Sequence, residues 1–333
     1  MKINSILFCL LPCMGLACSN GKSNSPVGGQ PLSDSVTVKT EVSRKITPRD
    51  IQIEKAFLYD KYTLEDSYPY KDTTRVFQWD KIKEHLAVIS NAQQEAHPWG
   101  ILQNRRNIHG EAPMVKDSKH DKFNHVEDAY GVEENQSIPL YSLTDLNTPE
   151  RYGRDGSWVR ILQDSADQVK VATIYFDGEW WVPAEYVEKI EPSIIKKVVL
   201  VDRTNQNIAT LEMVDSKWLV RSMNKATTGL ENPPLQKETP LGIFVVQEKK
   251  EKMYYLVDGT QNIGGFAPYA SRFSNGGYVH GVPVNGSRTE LIETSPTLGT
   301  TPRSHMCVRT ATSHAKFIYD WAPVGEALVV VIE

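Results

Sequence analysis

From residue 134 to the C-terminus, short apolar segments alternate with polar turns. Residues 158–162 and 241–246 are two such segments, rich in β-branched and aromatic side chains. Segments of this length that are bounded by Asp-Gly and similar turns are typical of β-strands. The closing run at 327–332 is almost continuously apolar, which favours a strand buried on both faces. The sequence therefore predicts a mainly β fold.

Two segments depart from this pattern and predict helices. Between 75 and 91, Phe77, Ile82 and Leu86 recur at helical spacing, which predicts an amphipathic helix. A second helix is predicted at 311–321, near the C-terminus. The length of 333 residues suggests two or three domains. The remaining predicted strands lie at 138–141, 169–172, 180–183, 197–201 and 218–220.

The first eighteen residues have the layout of an export signal. A basic start precedes an apolar run at 6–16, which is too short to span the roughly 30 Å core of a membrane. The run ends in Gly15-Leu16-Ala17-Cys18, which resembles the lipobox of bacterial lipoproteins, although Gly15 stands where leucine is usual. The resemblance implies lipidation of Cys18 and attachment to a membrane, facing the periplasm or cell wall. A plain cleaved signal with an incidental cysteine is the alternative.

These patterns predict an ordered series of segments. Residues 1–17 form a signal peptide, and residues 18–46, rich in Ser, Gly and Asn, form a flexible lipid-anchored tether. Residues 47–131 are an unassigned mixed α/β region that contains the first predicted helix. Residues 132–193 resemble a bacterial Src-homology-3-like β-barrel, through the sequences WVRI and DGEWWVPAEYV. Residues 194–333 form the last predicted domain.

The four cysteines do not suggest a disulfide framework. Two belong to the predicted signal peptide, and lipidation would consume Cys18. The remaining cysteine, Cys307, is a lone thiol in an exported chain. Its neighbours His305 and Arg309 are expected to lower the pKa of the thiol and so raise its thiolate fraction. Cys307 is therefore the candidate nucleophile.

Around Cys307 the sequence resembles the L,D-transpeptidase catalytic domain, also called YkuD-like. The family signature is a histidine, a variable loop, and then Ser/Thr-His-Gly-Cys-x-Arg/Asn. This chain has HG at 280–281 and SHMCVR at 304–309. Further matches are ATTG at 226–229, ETPLGIF at 238–244 and VGEALVVVI at 324–332. The resemblance covers about 196–333 and implies a β-sandwich-like domain with one helix near the C-terminus.

The resemblance also implies a role for each matching residue. Cys307 is the nucleophile that becomes a thioester, and His280 is the general base that activates it. His305 is the motif histidine, expected to order the turn or to contact the substrate. Met306 departs from the pattern, because it stands where the family has glycine, and methionine has less backbone freedom. The supporting positions are Gly281, Ser304, Met306 and Arg309.

The expected activity is cross-linking of peptidoglycan. By resemblance, Cys307 attacks the bond between a diamino acid and D-alanine in a stem tetrapeptide, and the side-chain amine of a second stem resolves the thioester. No metal or other cofactor is implied, and carbapenems are implied as inhibitors that acylate the thiol. The net charge of −4 gives no reason to expect a nucleic-acid partner. Two alternatives stay open: an L,D-carboxypeptidase or endopeptidase, and a non-catalytic wall-binding lipoprotein.

Overall fold

The computed structural model describes residues 44–94, 97–104, 110–191, 194–286 and 288–333. The predicted signal peptide, Cys18 and nearly all of the predicted tether lie outside these residues. No helix among the described residues is both long and apolar enough to cross a membrane.

The described residues contain two α-helices, twenty-two strands and two 3₁₀ turns, at Pro48–Asp50 and Ala184–Tyr186. The elements up to residue 190 are β1 (Ile53–Lys55), β2 (Ser67–Tyr70), β3 (Thr73–Val76), α1 (Trp79–Ala92), β4 (Trp99–Leu102), β5 (Lys119–His120), β6 (Val126–Glu127), β7 (Ser137–Leu140), β8 (Arg151–Arg154), β9 (Trp158–Asp164), β10 (Gln168–Thr173), β11 (Glu179–Pro183) and β12 (Val187–Ile190). The later elements are β13 (Lys197–Asp202), β14 (Asn207–Val214), β15 (Lys217–Lys225), β16 (Gly242–Val245), β17 (Glu248–Leu256), β18 (Ile263–Ser274), β19 (Gly277–His280), β20 (Val284–Asn285), β21 (Val308–Arg309), α2 (Thr312–Trp321) and β22 (Ala327–Ile332).

A six-stranded sheet runs through the middle of the fold, in the order β1-β15-β14-β13-β22-β16. Its inner strands β13 and β22 are parallel, with Val199 opposite Val329. Every residue of β22 is buried, as the sequence predicted for this run. Both faces of the sheet are covered because alternate residues of these strands enter two different cores.

One of these cores lies between the sheet and α1. Ile82, Leu86 and Ile89 of the helix are fully buried against side chains such as Leu200 and Val330. The helix predicted at 75–91 is therefore confirmed, but it begins four residues later. Residues 73–76 instead form β3, which pairs with β2 in a hairpin.

The second core holds a smaller sheet against the opposite face. This sheet has the order β17-β18-β19-β21, and β20 also pairs with β18. Phe273, Val279 and Val308 from it pack with Val329 of the six-stranded sheet and with Ile318 of α2. The two sheets and α2 give the predicted sandwich-like, mainly β arrangement, with the helix predicted near the C-terminus in place.

A five-stranded antiparallel sheet occupies the region of the predicted barrel, in the order β11-β10-β9-β4-β12. Its strands include those predicted at 158–162, 169–172 and 180–183. However, β4 comes from the segment 47–131 and pairs with both β9 and β12. The sheet therefore extends across the predicted boundary at residue 132. The likeness to a Src-homology-3 barrel stays a prediction.

Candidate active site

The candidate active site lies where β19 and β21 run side by side. The strands are parallel, with Val279 opposite Val308 and His280 opposite Arg309. Both valines point into the core beneath the sheet. Because side chains alternate along a strand, His280, Arg309 and the adjoining Cys307 lie on the other face. The register of two short strands thus brings His280 to the cysteine motif across the long loop that separates them in sequence.

Cys307 is enclosed and protonated at rest. The residue is 9% exposed, and its Sγ–H donates to the carbonyl oxygen of Gly276 at 3.3 Å. Burial raises the pKa of the thiol, while the backbone N–H of Tyr278 and the charge of Arg309 lower it less strongly. The charge of Arg309 thus acts in the predicted direction, but the predicted net lowering of the thiol pKa is wrong. Desolvation outweighs the polar neighbours, so the thiol needs a base before it can react.

His280 has the protonation state that a base requires. The residue is 2% exposed, and its Nδ1 lies 2.6 Å from the carbonyl oxygen of Gly281. A carbonyl only accepts hydrogen bonds, so Nδ1 carries the proton and Nε2 keeps a free lone pair. Burial lowers the pKa of His280 to about 4. The imidazole is thus neutral near pH 7.

Gly281 stands where a larger residue would not fit. A Cβ atom at this position would lie 2.7 Å from Oγ1 of Thr312 and 2.9 Å from Cγ of Pro268. The Gly281 N–H also donates to the Pro268 carbonyl at 2.9 Å. Glycine is therefore required for the chain to turn closely behind the imidazole.

Met306 takes the backbone conformation that glycine would favour. Its φ is 86°, in the region that non-glycine residues rarely occupy. The Met306 carbonyl accepts a hydrogen bond of 2.7 Å from Oγ1 of Thr239, and the same Oγ1 accepts the Gly229 N–H at 2.8 Å. Methionine therefore replaces glycine at position 306 in side chain only, because its backbone has the positive φ that glycine adopts easily.

Buried polar contacts hold the rest of the turn. Ser304 is fully buried, and its hydroxyl donates to the Cys307 carbonyl. The Ser304 N–H donates to the Thr228 carbonyl at 3.2 Å. Thr228 is in turn fixed by Gln206, whose side chain accepts the Thr228 N–H at 2.9 Å and donates to its hydroxyl at 2.7 Å. The motif segments at 226–229 and 238–244 therefore form the support of the cysteine turn.

His305 lies on the surface and faces away from this buried set. Its Nε2 is 3.0 Å from Oδ2 of Asp258, in the turn between β17 and β18. Its ring makes no hydrogen bond with Cys307 or His280 within the described part of the chain. The structure thus links His305 to the β17–β18 hairpin, and its predicted contact with substrate stays a prediction.

Arg309 places a positive charge beside the thiol. Its Nε is buried and has no hydrogen-bond partner among the described residues. Burial lowers the pKa of the guanidinium, and the nearby Cys307 and Tyr255 raise it. An arginine remains charged in this setting, so Arg309 favours anions close to Sγ.

Several functional neighbours escaped the sequence analysis. Gly276, Tyr278, Gln206 and Asp258 carry no local pattern that distinguishes them from ordinary strand and turn residues. They reach the site only through the pairing of strands that are distant in sequence. Within the described residues no group of three or more His, Cys, Asp or Glu side chains is arranged to hold a metal ion.

Comparison with known families adds an independent finding. Residues 196–332 match the family model described as YkuD, the L,D-transpeptidase catalytic domain. The match covers the part of the chain in which the motifs occur, and it confirms the resemblance for that part. No curated protein sequence matches the chain.

Three solved structures illustrate the similarity at the level of structure. A fused Zn-dependent amidase/peptidase/peptidoglycan-binding domain-containing protein from Clostridium acetobutylicum ATCC 824 is 20% identical, with 42% of this chain and 53% of that chain covered and a TM-score of 0.31. This chain therefore spans about half of that protein. The L,D-transpeptidase LdtMt1 in complex with imipenem is 18% identical, with 55% and 71% covered and a TM-score of 0.34. An L,D-transpeptidase from Mycobacterium tuberculosis H37Rv is 18% identical, with 54% and 92% covered and a TM-score of 0.34.

Proposed function

We propose that the protein is a peptidoglycan L,D-transpeptidase that works through a Cys307 thioester. The observation that carries the proposal is the placement of an enclosed thiol, one residue before β21, and a neutral, buried imidazole, at the end of β19, on the same face of two adjacent parallel strands. A nucleophile with a base beside it is the arrangement that acyl transfer requires. The family match of residues 196–332 supports the same reaction class.

Acylation begins with proton transfer from the thiol to Nε2 of His280. The thiolate attacks the carbonyl carbon of the diamino acid that precedes D-alanine, and a tetrahedral oxyanion forms. The N–H groups of Met306 and Cys307 have no backbone acceptor among the described residues, so they are the available donors for this oxyanion. The C–N bond then breaks, His280 returns its proton to the leaving amine, and D-alanine departs.

The thioester is resolved by the side-chain amine of a second stem peptide. Neutral His280 accepts the proton of the attacking amine, the C–S bond breaks, and the thiol is restored. The product is a cross-link between two diamino acids. If water attacks instead, the same steps trim the tetrapeptide, so transfer and hydrolysis share one acylation apparatus.

The proposal extends to an inhibitor and to a location. Carbapenems would acylate Cys307 by opening their lactam ring, in line with the imipenem complex reported for one similar protein. The protein would be exported and held to a membrane by a lipid on Cys18, which places the catalytic domain beside the cell wall.

Intact-mass analysis of the exported protein tests these points together. Incubation with a stem tetrapeptide and with imipenem is expected to give adducts that map to Cys307, with D-alanine released from the peptide. Dimeric products indicate transfer, and trimmed monomers indicate hydrolysis. The mature N-terminus is expected to carry a lipid on Cys18.

The matched control is Cys307→Ser, which keeps the size of the side chain. It is expected to bind the tetrapeptide and to release D-alanine at least 100-fold more slowly, a loss on the order of that for removing an activated nucleophile. Equal turnover by Cys307→Ser and wild type would instead favour the non-catalytic wall-binding alternative.

A further inference from the structure

A cleft of about 550 Å³ opens beside the cysteine turn. One wall comes from the 127–137 segment together with Arg154, and the other from the 231–241 segment. Gly276 and Met306 also line it. Gly276 is the residue whose carbonyl accepts the Cys307 thiol, so the cleft reaches the immediate surroundings of the nucleophile.

Arg154, at the end of β8, is the unusual residue of this cleft. It is only partly exposed, and its guanidinium makes no hydrogen bond or ion pair with any residue that the structure describes. Burial lowers the pKa of the guanidinium, Asp128 raises it, and the positive charge of Arg203 lowers it. A partly buried charge without a partner is costly to keep.

The other basic groups of the cleft are already paired. Arg203 donates to the Thr239 carbonyl at 2.8 Å and lies 3.5 Å from Oε2 of Glu333. Lys237 pairs with Glu133. Arg154 alone among these cations has its hydrogen-bonding capacity unused by the described residues, and a guanidinium fork is matched in geometry by a carboxylate.

The cleft also carries negative charge close by. Burial raises the pKa of Glu127, and the like charges of Glu133 and Glu231 raise it further. Carboxylates crowded in this way favour a cation near them. The cleft therefore offers both signs of charge, which suits a ligand that carries a carboxylate and an amine at once.

We propose that Arg154 binds a free carboxylate of the stem peptide in this cleft. The inference rests on the proposed function, because the proposed function identifies the ligand as a stem peptide. Such a peptide carries free carboxylates and the side-chain amine of its diamino acid. It assigns a binding residue that lies outside residues 196–332. Arg154 would set the selectivity for carboxylate-bearing peptides without taking part in the chemistry at Cys307.

Binding can be measured without turnover in the Cys307→Ala protein. Calorimetric titration with a free-acid stem tetrapeptide is expected to show binding that weakens by about 10- to 100-fold when Arg154→Gln is added, the range for a charge-assisted hydrogen bond. The control is Arg221→Gln, since Arg221 is similarly enclosed but pairs with Glu212 at 2.9 Å on the six-stranded sheet. This control is expected to leave the affinity unchanged.

A second probe removes the charge from the ligand, which leaves the protein fold untouched. In the Cys307→Ala protein with Arg154 unchanged, a tetrapeptide whose carboxylates are amidated is expected to bind as weakly as the free-acid peptide binds when Arg154→Gln is added. The protein that carries Arg154→Gln is expected to bind the two peptides with equal affinity. Equal affinity of the Arg154 protein for both peptides, or no binding of either, overturns the proposal even if Arg154→Gln fails to fold.

Kinetics on the intact thiol separate this proposal from the proposed function. With Cys307 present, Arg154→Gln is expected to raise the KM for the tetrapeptide by about 10-fold or more and to leave kcat unchanged. If the wild type shows neither D-alanine release nor a Cys307 adduct, the proposed function fails, and the binding results above still decide the role of Arg154. A kcat reduced with unchanged KM contradicts the role given to Arg154 here.

Discussion

At the scale of single residues, burial sets the chemistry of the site. The enclosed thiol of Cys307 has a raised pKa, and the enclosed imidazole of His280 has a pKa of about 4. Both shifts favour the uncharged form, because desolvation penalises charge. At rest the site therefore holds an uncharged thiol and an uncharged imidazole.

This pairing predicts an unusual acid limb in the pH profile. His280 stays neutral and able to accept a proton above about pH 4. The value of kcat/KM for D-alanine release is therefore expected not to fall through protonation of His280 until below about pH 5. The measurement is kcat/KM between about pH 4 and pH 8 with a tetrapeptide. A limb near pH 6.5, the ordinary value for histidine, would contradict the assignment of His280 as a buried neutral base.

Removal of the imidazole tests the same assignment more directly. His280→Ala is expected to slow acylation of Cys307 by about 10²- to 10⁴-fold, the usual contribution of a general base. His305→Ala provides a comparison within the same motif. Because His305 lies at the surface beside Asp258, its loss is expected to change acylation by no more than a few-fold, as followed by mass spectrometry with imipenem.

Met306 gives a prediction about stability. Its φ of 86° costs an L-residue about 1–2 kcal/mol, and glycine at the same place costs about 0.5–1 kcal/mol in unfolded-state entropy. Met306→Gly is therefore expected to be as stable as wild type or up to about 1 kcal/mol more stable in urea unfolding. Met306→Val, which is β-branched, is expected to be less stable by at least about 1 kcal/mol. A loss of more than about 1 kcal/mol in Met306→Gly would show that the methionine side chain stabilises the turn.

The extent to which this site could be predicted depends on sequence distance. Cys307 and His280 stand in short motifs, and the resemblance of these motifs to the L,D-transpeptidase signature implies their roles as nucleophile and base. The pKa of Cys307 could not be predicted that way, because it depends on enclosure by Gly276 and Tyr278 of the β18–β19 hairpin. Arg154 is remote from the thiol in sequence, and only the fold places it in the adjoining cleft.

At the scale of elements, a buried histidine connects β19, the strand that carries His280, to the rest of the sandwich. His314 of α2 is fully buried, with Nε2 2.8 Å from Oγ of Ser222 and Nδ1 3.0 Å from Oγ1 of Thr310. The Thr310 hydroxyl donates to the Lys225 carbonyl at 2.9 Å, so it accepts the proton of Nδ1. Thr310 N–H also donates to the His280 carbonyl at 3.0 Å. The helix, two sheets and the base are therefore joined by one set of hydrogen bonds.

This arrangement predicts a loss of stability in mild acid. Burial lowers the pKa of His314 to about 3 and that of His280 to about 4, against about 6.5 in the unfolded chain. Between those values only the unfolded state takes up protons, so the free energy of unfolding falls as pH falls below about 6.5. From about pH 6 to pH 5 each histidine is expected to contribute a slope approaching about 1.4 kcal/mol per pH unit.

The contribution of His314 can be isolated with His314→Asn. The variant is expected to be less stable than wild type at neutral pH, because it loses a buried hydrogen-bonded ring. The slope of its free energy of unfolding against pH, measured by urea unfolding between about pH 6 and pH 5, is expected to be smaller by the contribution of one proton, about 1.4 kcal/mol per pH unit. An unchanged slope would mean that His314 is already protonated or remains accessible in the folded protein.

Elements were predictable where their apolar residues form a continuous run or recur at helical spacing. The strand at 327–332 and the helices near 79–92 and 312–321 follow from such patterns. The first helix begins at Trp79 and not at 75, because Thr73–Val76 pair with the neighbouring strand Ser67–Tyr70 in a hairpin. Pairing partners were not predictable, since the parallel neighbours β13 and β22 lie at opposite ends of the catalytic domain.

At the scale of the whole molecule, the segment 47–131 shares a hydrophobic core with the six-stranded sheet. The described residues from 44 to 333 belong to a single compact unit. β1 extends the six-stranded sheet by pairing with β15, and α1 covers one face of that sheet. The Gln93 side chain accepts the Ile195 N–H at 2.6 Å. The segment 47–131, which has no assignment from its sequence, is therefore part of the support of the catalytic domain.

The last prediction follows from that shared core. Without α1, the sheet formed by residues 194–333 would expose the apolar surface that now contacts Ile82, Leu86 and Ile89. At about 1.5–3 kcal/mol for each buried side chain, these three alone are worth on the order of 5–9 kcal/mol, similar to the net stability of a whole domain. A fragment of residues 194–333 is therefore expected not to unfold cooperatively, whereas residues 44–333 do so.

Thermal unfolding followed by near-ultraviolet circular dichroism distinguishes the two fragments. Because a fragment can fail for unrelated reasons, point variants in the full chain provide the matched test. Leu86→Ala is expected to lower the free energy of unfolding by about 2–5 kcal/mol, and Val88→Ala, at an exposed position of the same helix, by less than about 0.5 kcal/mol. Equal effects at the two positions, or a cooperative 194–333 fragment, would mean that the catalytic sheet is stable without α1, and that residues 47–131 serve the substrate or the wall instead.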